Sequence, residues 1–318
     1  MGRVVQKPMT KPSRTFLAAT VVVLVSQTVA FAQANATVAA IDLRQLDGAA
    51  YGSRVGQAPA AGGSTGSYWS SWFQRSDRSK AEQPRWMTPM ATTTPRLEQE
   101  FRYDVLWQQA KLGTPYTENV GNTKGLELIP FDKAEVILAV PPYMIHHSSA
   151  VADGFGDFQV LLKYRMLSAD ETHGHYVLTA FLSSTFPTGT GASGQTNSIV
   201  TPTLSYGKGY GDFDVQGTFG VGLPTGNEAI IGRAYVWNNA FQYHLLSLLW
   251  PEVEINATWF QDGKNAGQQQ TFVTPGVVVG RIRLMGRLRL AVGAAVQIAV
   301  SQFRTSLHNP MLSVRLPF

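Results

Sequence analysis

The side chains best placed to act together are charged residues that alternate with large apolar ones. They are Glu98, Glu100, Arg102, Glu127, Lys163, Arg165, Asp212, Asp214, Glu252, Glu254, Arg281, Arg283, Arg287, Arg289 and Arg315. Lys163 and Arg165, for example, interleave with Leu162, Tyr164 and Met166. If the apolar parity faces lipid, the charges face a narrow interior. There carboxylates and guanidiniums should pair, because an unpaired buried charge is costly. Such a belt either stiffens the wall or forms a constriction below an outer vestibule of small and neutral residues (Thr179, Phe181, Thr185, Thr218, Gly222, Val273, Ala295).

Other chemistry is poorly supported. Gly189, Gly191 and Gly194 have GxGxxG spacing, but a phosphate cradle needs a following helix and Asn197 to Tyr206 alternates as a strand. His146 and His147 could ligate a transition metal, yet no third ligand stands at a characteristic spacing. His175 lies near Ser183 and Ser184 in sequence, but they fall toward opposite ends of one strand, and a base must reach its nucleophile. Cysteine is absent, which removes thiol catalysis, thiolate metal sites and disulfides. No cofactor or metal is expected, and the reading is not that of an enzyme.

The elements that position these residues are strands. No run of about eighteen apolar residues follows the N-terminal region, so no helical span is expected, whereas a barrel hides its membrane signal in alternation. From Arg96 onward alternation persists through about twelve strands. The closing stretch PMLSVRLPF puts Leu312, Val314, Leu316 and Phe318 on one face and Ser313 and Arg315 on the other. Connections alternate in length: Met285-Gly286 and the turn at Phe131 to Ala134 are tight, and Asp262 to Gln269 and Pro187 to Thr196 are long. The fold expected is an all-β, transmembrane up-and-down antiparallel barrel with both termini in the periplasm, and Trp107, Tyr164, Tyr206, Phe213, Tyr243, Trp259 and Phe318 in aromatic girdles.

Arg3, Lys7, Lys11 and Arg14 precede the apolar run Phe16 to Val25 and small residues near position 32. Residues 1–32 read as a secretory signal cleaved after Ala32 or Ala34. Residues 33–95 read as a low-complexity, disordered periplasmic tail, with Tyr68-Trp69 and Trp72-Phe73 as an anchor or as a plug. Residues 96–318 are the barrel. The net charge of +5 forms no basic stripe, so nucleic acid is not an expected partner.

The terminal Phe318 resembles the signal that outer-membrane barrels present to the insertion machinery. Trp86 to Arg102, Leu126 to Pro142, Gly154 to Arg165, and the FPTG and LPTG motifs at Phe186 and Leu223 resemble the outer-membrane family named for the MetA pathway of phenol degradation. That resemblance implies a channel. The expected function is passive uptake of small hydrophobic or aromatic compounds across the outer membrane, with lipid and the insertion machinery as partners. A structural or adhesive barrel with a blocked lumen is the alternative, and a lipid-modifying enzyme a weaker one.

Overall fold

The computed structural model describes residues 68–110, 114–121 and 124–318. The signal peptide expected over 1–32 and the first part of the expected tail, 33–67, lie outside the described residues. The strand segments are β1 (Glu100–Gln109), β2 (Tyr116–Gly121), β3 (Gly125–Phe131), β4 (Ala134–Ala139), β5 (Tyr143–Ile145), β6 (Gly154–Phe155), β7 (Phe158–Ala169) and β8 (Tyr176–Phe186). Then follow β9 (Ile199–Tyr210), β10 (Phe213–Pro224), β11 (Ala234–Tyr243), β12 (Leu249–Phe260), β13 (Gln269–Met285), β14 (Leu288–Ala299) and β15 (His308–Pro317). Every pairing is antiparallel, and β15 closes on β1 with Arg315 opposite Arg102. The result is a closed barrel of 12 staves.

Alternation sets the two faces. Leu312 and Val314 are exposed on the outside while Ser313 and Arg315 are buried inside, and Leu162 and Tyr164 flank buried Lys163 in the same way. An apolar exterior around a polar interior is what a bilayer-spanning barrel requires. Among the described residues no helix is long and apolar enough to cross a membrane.

Links 132–133, 170–175, 211–212, 244–248 and 286–287 lie at one end, the turn end, together with Phe318. The links at the other end, the loop end, are longer: 187–198, 225–233, 261–268 and 300–307 among them. A short helix, α2 (Glu228–Ile231), sits in one of these loops.

Three neighbouring staves are creased. β2 and β3 both pair with β1, β5 continues the β4 stave by pairing with β2, and β6 pairs with β5. Pro141 and Pro142, which cannot donate to a ladder, mark the break in the middle stave. Gly121, at φ +111°, marks it in the next, where a side chain would be strained.

Asn239 is an outward residue that breaks the apolar parity. Asn239 and Tyr206 both lie opposite Gly217. Tyr206, expected in a girdle, instead lies across Gly217 and donates its hydroxyl to Asn239 Oδ1 at 2.7 Å. A polar group facing lipid needs such a partner.

The tail reading fails for 72–95. Trp72–Ala81 forms a helix, α1, at the turn end. No side chain caps its N-terminus, and Arg78 and Lys80 suit the dipole at its C-terminus. A helix this short is marginal alone, so its contacts hold it: Trp72 Nε1 donates to Gln99 Oε1 at 2.9 Å, Asp77 pairs with Arg287, Arg78 with Asp132 at 3.2 Å, and Lys80 Nζ donates to the main-chain oxygen of Phe318 at 3.1 Å. Beyond α1 the chain is not a free tail. It enters the barrel.

Candidate functional site

Residues 82–99 form a strap inside the lumen. It leaves α1, rises to a tip at Thr92-Thr93, and returns to Gln99 at the start of β1. The two arms are tied by Gln83, whose amide donates to Leu97 O at 2.7 Å and accepts from Leu97 N at 2.9 Å. The Arg96 guanidinium binds Trp86 O across the same gap. Most of the strap has neither helix nor ladder, so its backbone groups need partners from elsewhere. Pro84, Pro89 and Pro95 remove three of the donors.

The wall supplies the partners with its charges. Guanidinium and ammonium groups take the carbonyls: Arg102 donates to Pro89 O at 3.0 Å and Met90 O at 2.5 Å, Arg315 to Thr88 O and Pro89 O, and Lys163 to Arg96 O at 3.1 Å. Arg281 donates to Arg85 O at 2.7 Å and Trp86 O at 2.6 Å. Carboxylates take the amides: Glu252 accepts from Met90 N at 2.9 Å, and Glu254 from Ala91 N at 2.7 Å and Thr92 N at 2.6 Å. Gln216 and Thr179 complete the cradle by donating to Met87 O at 2.9 Å and Pro95 O at 2.6 Å. Hydrogen bonds with one charged partner are about twice as strong as neutral ones.

This changes the meaning of the charged belt. Glu98, Glu100, Arg102, Glu127, Lys163, Arg165, Asp214, Glu252, Glu254 and Arg315 are buried in the lumen. Arg281 and Arg289 are half-buried, while Asp212, Arg283 and Arg287 stand exposed at the turn-end rim. The expected pairing across the lumen is limited. Buried ion pairs join Arg102 to Asp104 at 2.9 Å, Lys163 to Glu135 at 2.9 Å, and Arg96 to Glu98 at 2.7 Å. Much of the rest of the belt reads the backbone of the strap.

Packing follows the same plan. Met87 and Met90 join Leu106, Trp250, Val278, Ala291, Ala295 and Met311 in one apolar cluster inside the barrel. Wall glycines make room for strap side chains: an added Cβ at Gly207 would sit 2.4 Å from Trp86 Cζ3, at Gly280 2.4 Å from Met87 Cε, and at Gly293 2.4 Å from Met90 Sδ. Trp86 is a rigid ring and Pro95 Cγ also lies 3.1 Å from the Cβ added at Gly207, so Gly207→Ala should cost about 1–3 kcal/mol, the usual penalty of overpacking. Urea unfolding in detergent measures this. Gly222→Ala, whose new Cβ meets nothing nearer than 3.7 Å, serves as the tolerated control.

Above the tip, toward the loop end, lies a cavity of about 220 Å³ floored by Thr93. Ile137, Ala139, Leu161, Phe181 and Val236 line part of it, and Gln159, Ser183, Thr201, Thr203, Thr218 and Asn238 the rest. The expected vestibule of small and neutral residues is therefore a mixed cup. Of the residues expected there, Phe181 and Thr218 line it, whereas Thr179 holds the strap and Ala295 belongs to the apolar cluster. Lys124 also lines the cup and was missed as a site residue. It shares parity with outward Leu126 and Leu128, and a lysine there belongs in lipid unless the strand is broken. The crease re-aims it inward.

The other candidates are separated or engaged. Ser183 lines the cup, whereas His175 lies in the turn-end link, roughly 25 Å away at strand rise. His146 Nε2 contacts Ser193 Oγ at 3.0 Å and His147 pairs with Glu118 at 3.2 Å. Among the described residues no cluster of three metal-ligating side chains occurs. Gly189 to Gly194 are followed by β9, not by a helix.

His175 latches the strap. Trp86 Nε1 donates to His175 Nε2 at 2.7 Å, and the ring lies over Gly209. The bond needs neutral imidazole. Burial, opposed by Glu171 and Asp170 and aided by Lys208, lowers the His175 pKa from its usual value. In the unfolded chain the ring takes up its proton near about pH 6.5. The latch's contribution is therefore whole above that pH and is lost as pH falls from there through the lower folded value. Proteolysis at the strap should quicken below about pH 6.5, and His175→Gln should flatten that acid-side change.

No protein-family model matches the chain, and no curated protein matches it. The resemblance to the phenol-degradation family thus stands on the short stretches that carry it. Among solved structures, an outer-membrane channel from Pseudomonas putida F1 is similar at 16% identity, covering 73% of this chain and 98% of its own, with a TM-score of 0.49. The NanC porin is similar at 10% identity, over 68% of this chain and 98% of its own, with a TM-score of 0.43. The outer membrane phospholipase A of Escherichia coli is similar at 11% identity, over 71% and 94%, with a TM-score of 0.34.

Proposed function

We propose that the protein is an outer-membrane channel for small solutes, closed by its own strap, with both barrel termini on the periplasmic side. The apolar exterior and the segregation of tight turns from longer loops support that location and orientation. On this reading Phe318 addresses the insertion machinery and the outer face contacts lipid. The observation that carries the channel reading is how the strap is held. It is an irregular segment, hydrogen-bonded by its backbone to the wall, and it separates a solvent-sized cup from the turn end. Bonds of this kind can be exchanged for water one at a time as the strap leaves.

The solute enters from the cup, whose mixed lining suits a small molecule with both an apolar and a polar side. That retains the aromatic or hydrophobic class as one part of the ligand only. In planar bilayers the intact chain should be mostly closed with brief openings, and liposomes carrying it should swell slowly in small solutes. Absence of current and swelling from both the intact chain and a strap-deleted barrel would remove the reading.

A second reading, a barrel kept shut for structural or adhesive use, is favoured by the number of charged wall groups that bond the strap's backbone. It expects no openings under any condition that leaves the barrel folded.

A further inference from the structure

We propose that the cup is a binding site for a small organic monoanion, a carboxylate carried on a compact apolar body, with Lys124 as its counter-charge. This names the solute class of the channel proposed above and rests on that reading only for the direction of transport.

Lys124 is 8% exposed. Its Nζ donates to Thr93 Oγ1 at 3.0 Å, and among the described residues it has no ion pair. Its situation differs from that of the buried belt cations around the strap. Arg102 has a carboxylate within 3.0 Å and two strap carbonyls, Lys163 a carboxylate within 3.0 Å and one strap carbonyl, and Arg315 two strap carbonyls. The charges that bear on Lys124 are Arg102 and Lys163 of like sign and Glu127 and Asp104 of opposite sign. Asp104 is already bound to Arg102, and Glu127 lies beyond ion-pair distance. An ammonium has three donors, and a neutral hydroxyl uses one. Keeping such a charge out of water without a counter-ion is costly, and the cup is where an anion can reach it.

The cup fixes the rest of the ligand. Lys124 stands beside Ala139, Ile137 and Leu161, with Phe181 next along the wall, so an apolar body fits against that side. The hydroxyls of Ser183, Thr201 and Thr203 face the same space and suit a second polar edge. At about 220 Å³ the cavity is smaller than the roughly 300–1,000 Å³ of sites for drug-sized ligands. One lysine and no guanidinium line it, which suits a single negative charge over a phosphate dianion.

The test is calorimetric titration of the full-length protein in detergent with benzoate, with benzamide as its uncharged counterpart of like shape, and with inorganic phosphate. Benzoate should bind at least about tenfold more tightly than benzamide or phosphate, the difference expected for a charge-assisted bond. Lys124→Met should reduce benzoate to the benzamide level. Should that variant fold poorly, Lys124→Gln and Thr203→Val give the same comparison, the first losing the charge preference and the second keeping it. Equal binding of benzoate and benzamide, or unchanged benzoate binding in either Lys124 variant, overturns the inference. A protein that conducts without preferring benzoate retains the channel and loses this site. One that prefers benzoate and never conducts retains the site and loses the channel.

Discussion

Replacing residues 84–95 by a short Gly-Ser linker should turn a mostly closed pore into one that conducts continuously. The replacement is sterically simple, because Gln83 and Leu97 already touch across the base of the strap and a few residues bridge them. The wall keeps its ladder closure from β1 to β15, which does not involve the strap. Arg102, Arg315, Glu252 and Glu254 lose their backbone partners, but they then face a water-filled lumen. A polar group without a partner is costly only where it stays dry. The barrel should therefore remain folded, less stable by the packing of Met87, Met90 and Trp86, and carry steady current in planar bilayers. A deleted variant that folds and stays silent would mean that something other than the strap blocks the lumen.

The second large effect is expected from Arg102→Ala combined with Arg315→Ala. Each guanidinium binds two strap carbonyls near Pro89, and they are opposite each other in the β1–β15 register. A hydrogen bond to a charged group contributes about 1.5–3 kcal/mol; counting one such bond for each guanidinium, losing both anchors shifts the closed-to-open balance by at least about 3–6 kcal/mol, or roughly a hundredfold to ten-thousandfold. Open probability in single-channel records measures this directly. By contrast Arg287→Ala should loosen α1 through Asp77 and leave the tip seated, so its effect on current should be much smaller.

The wall was legible in the sequence because lipid outside and a polar lumen inside impose a period of two on every stave. That period also places Glu100, Arg102, Lys163, Arg165, Asp214, Glu252, Glu254 and Arg315 on the inner face, where they are buried, whereas Asp212, Arg283 and Arg287 end at the exposed rim. What it could not show is what they bind. The partners are main-chain carbonyls and amides of residues 82–99, and backbone groups carry no mark in a sequence. The strap itself has no period, and its prolines and threonines read as linker. Met87 and Met90 become informative only beside Gly280 and Gly293, which are far from them along the chain. Lys124 was hidden by the crease, which reverses its parity, and Asn239 by Tyr206, which reaches its Oδ1 across Gly217 from two staves away. Glu135, absent from the belt as read, pairs with Lys163 because β4 and β7 are in register there.

In the channel proposed, the strap leaves the lumen whenever current passes, and a removable tether between strap and wall checks this. The chain has no cysteine of its own. Met90 packs directly on β14, with its Sδ 2.4 Å from where a Cβ on Gly293 would sit, so a cysteine pair at these two positions is the tether to try. Met90→Cys with Gly293→Cys, placed in the Arg102→Ala, Arg315→Ala background, fixes the tip arm to β14 when oxidised and frees it when reduced. Single-channel recording should show no openings in the oxidised protein and full activity after reduction on the same membrane. Equal current before and after reduction, with the disulfide verified, would contradict the account.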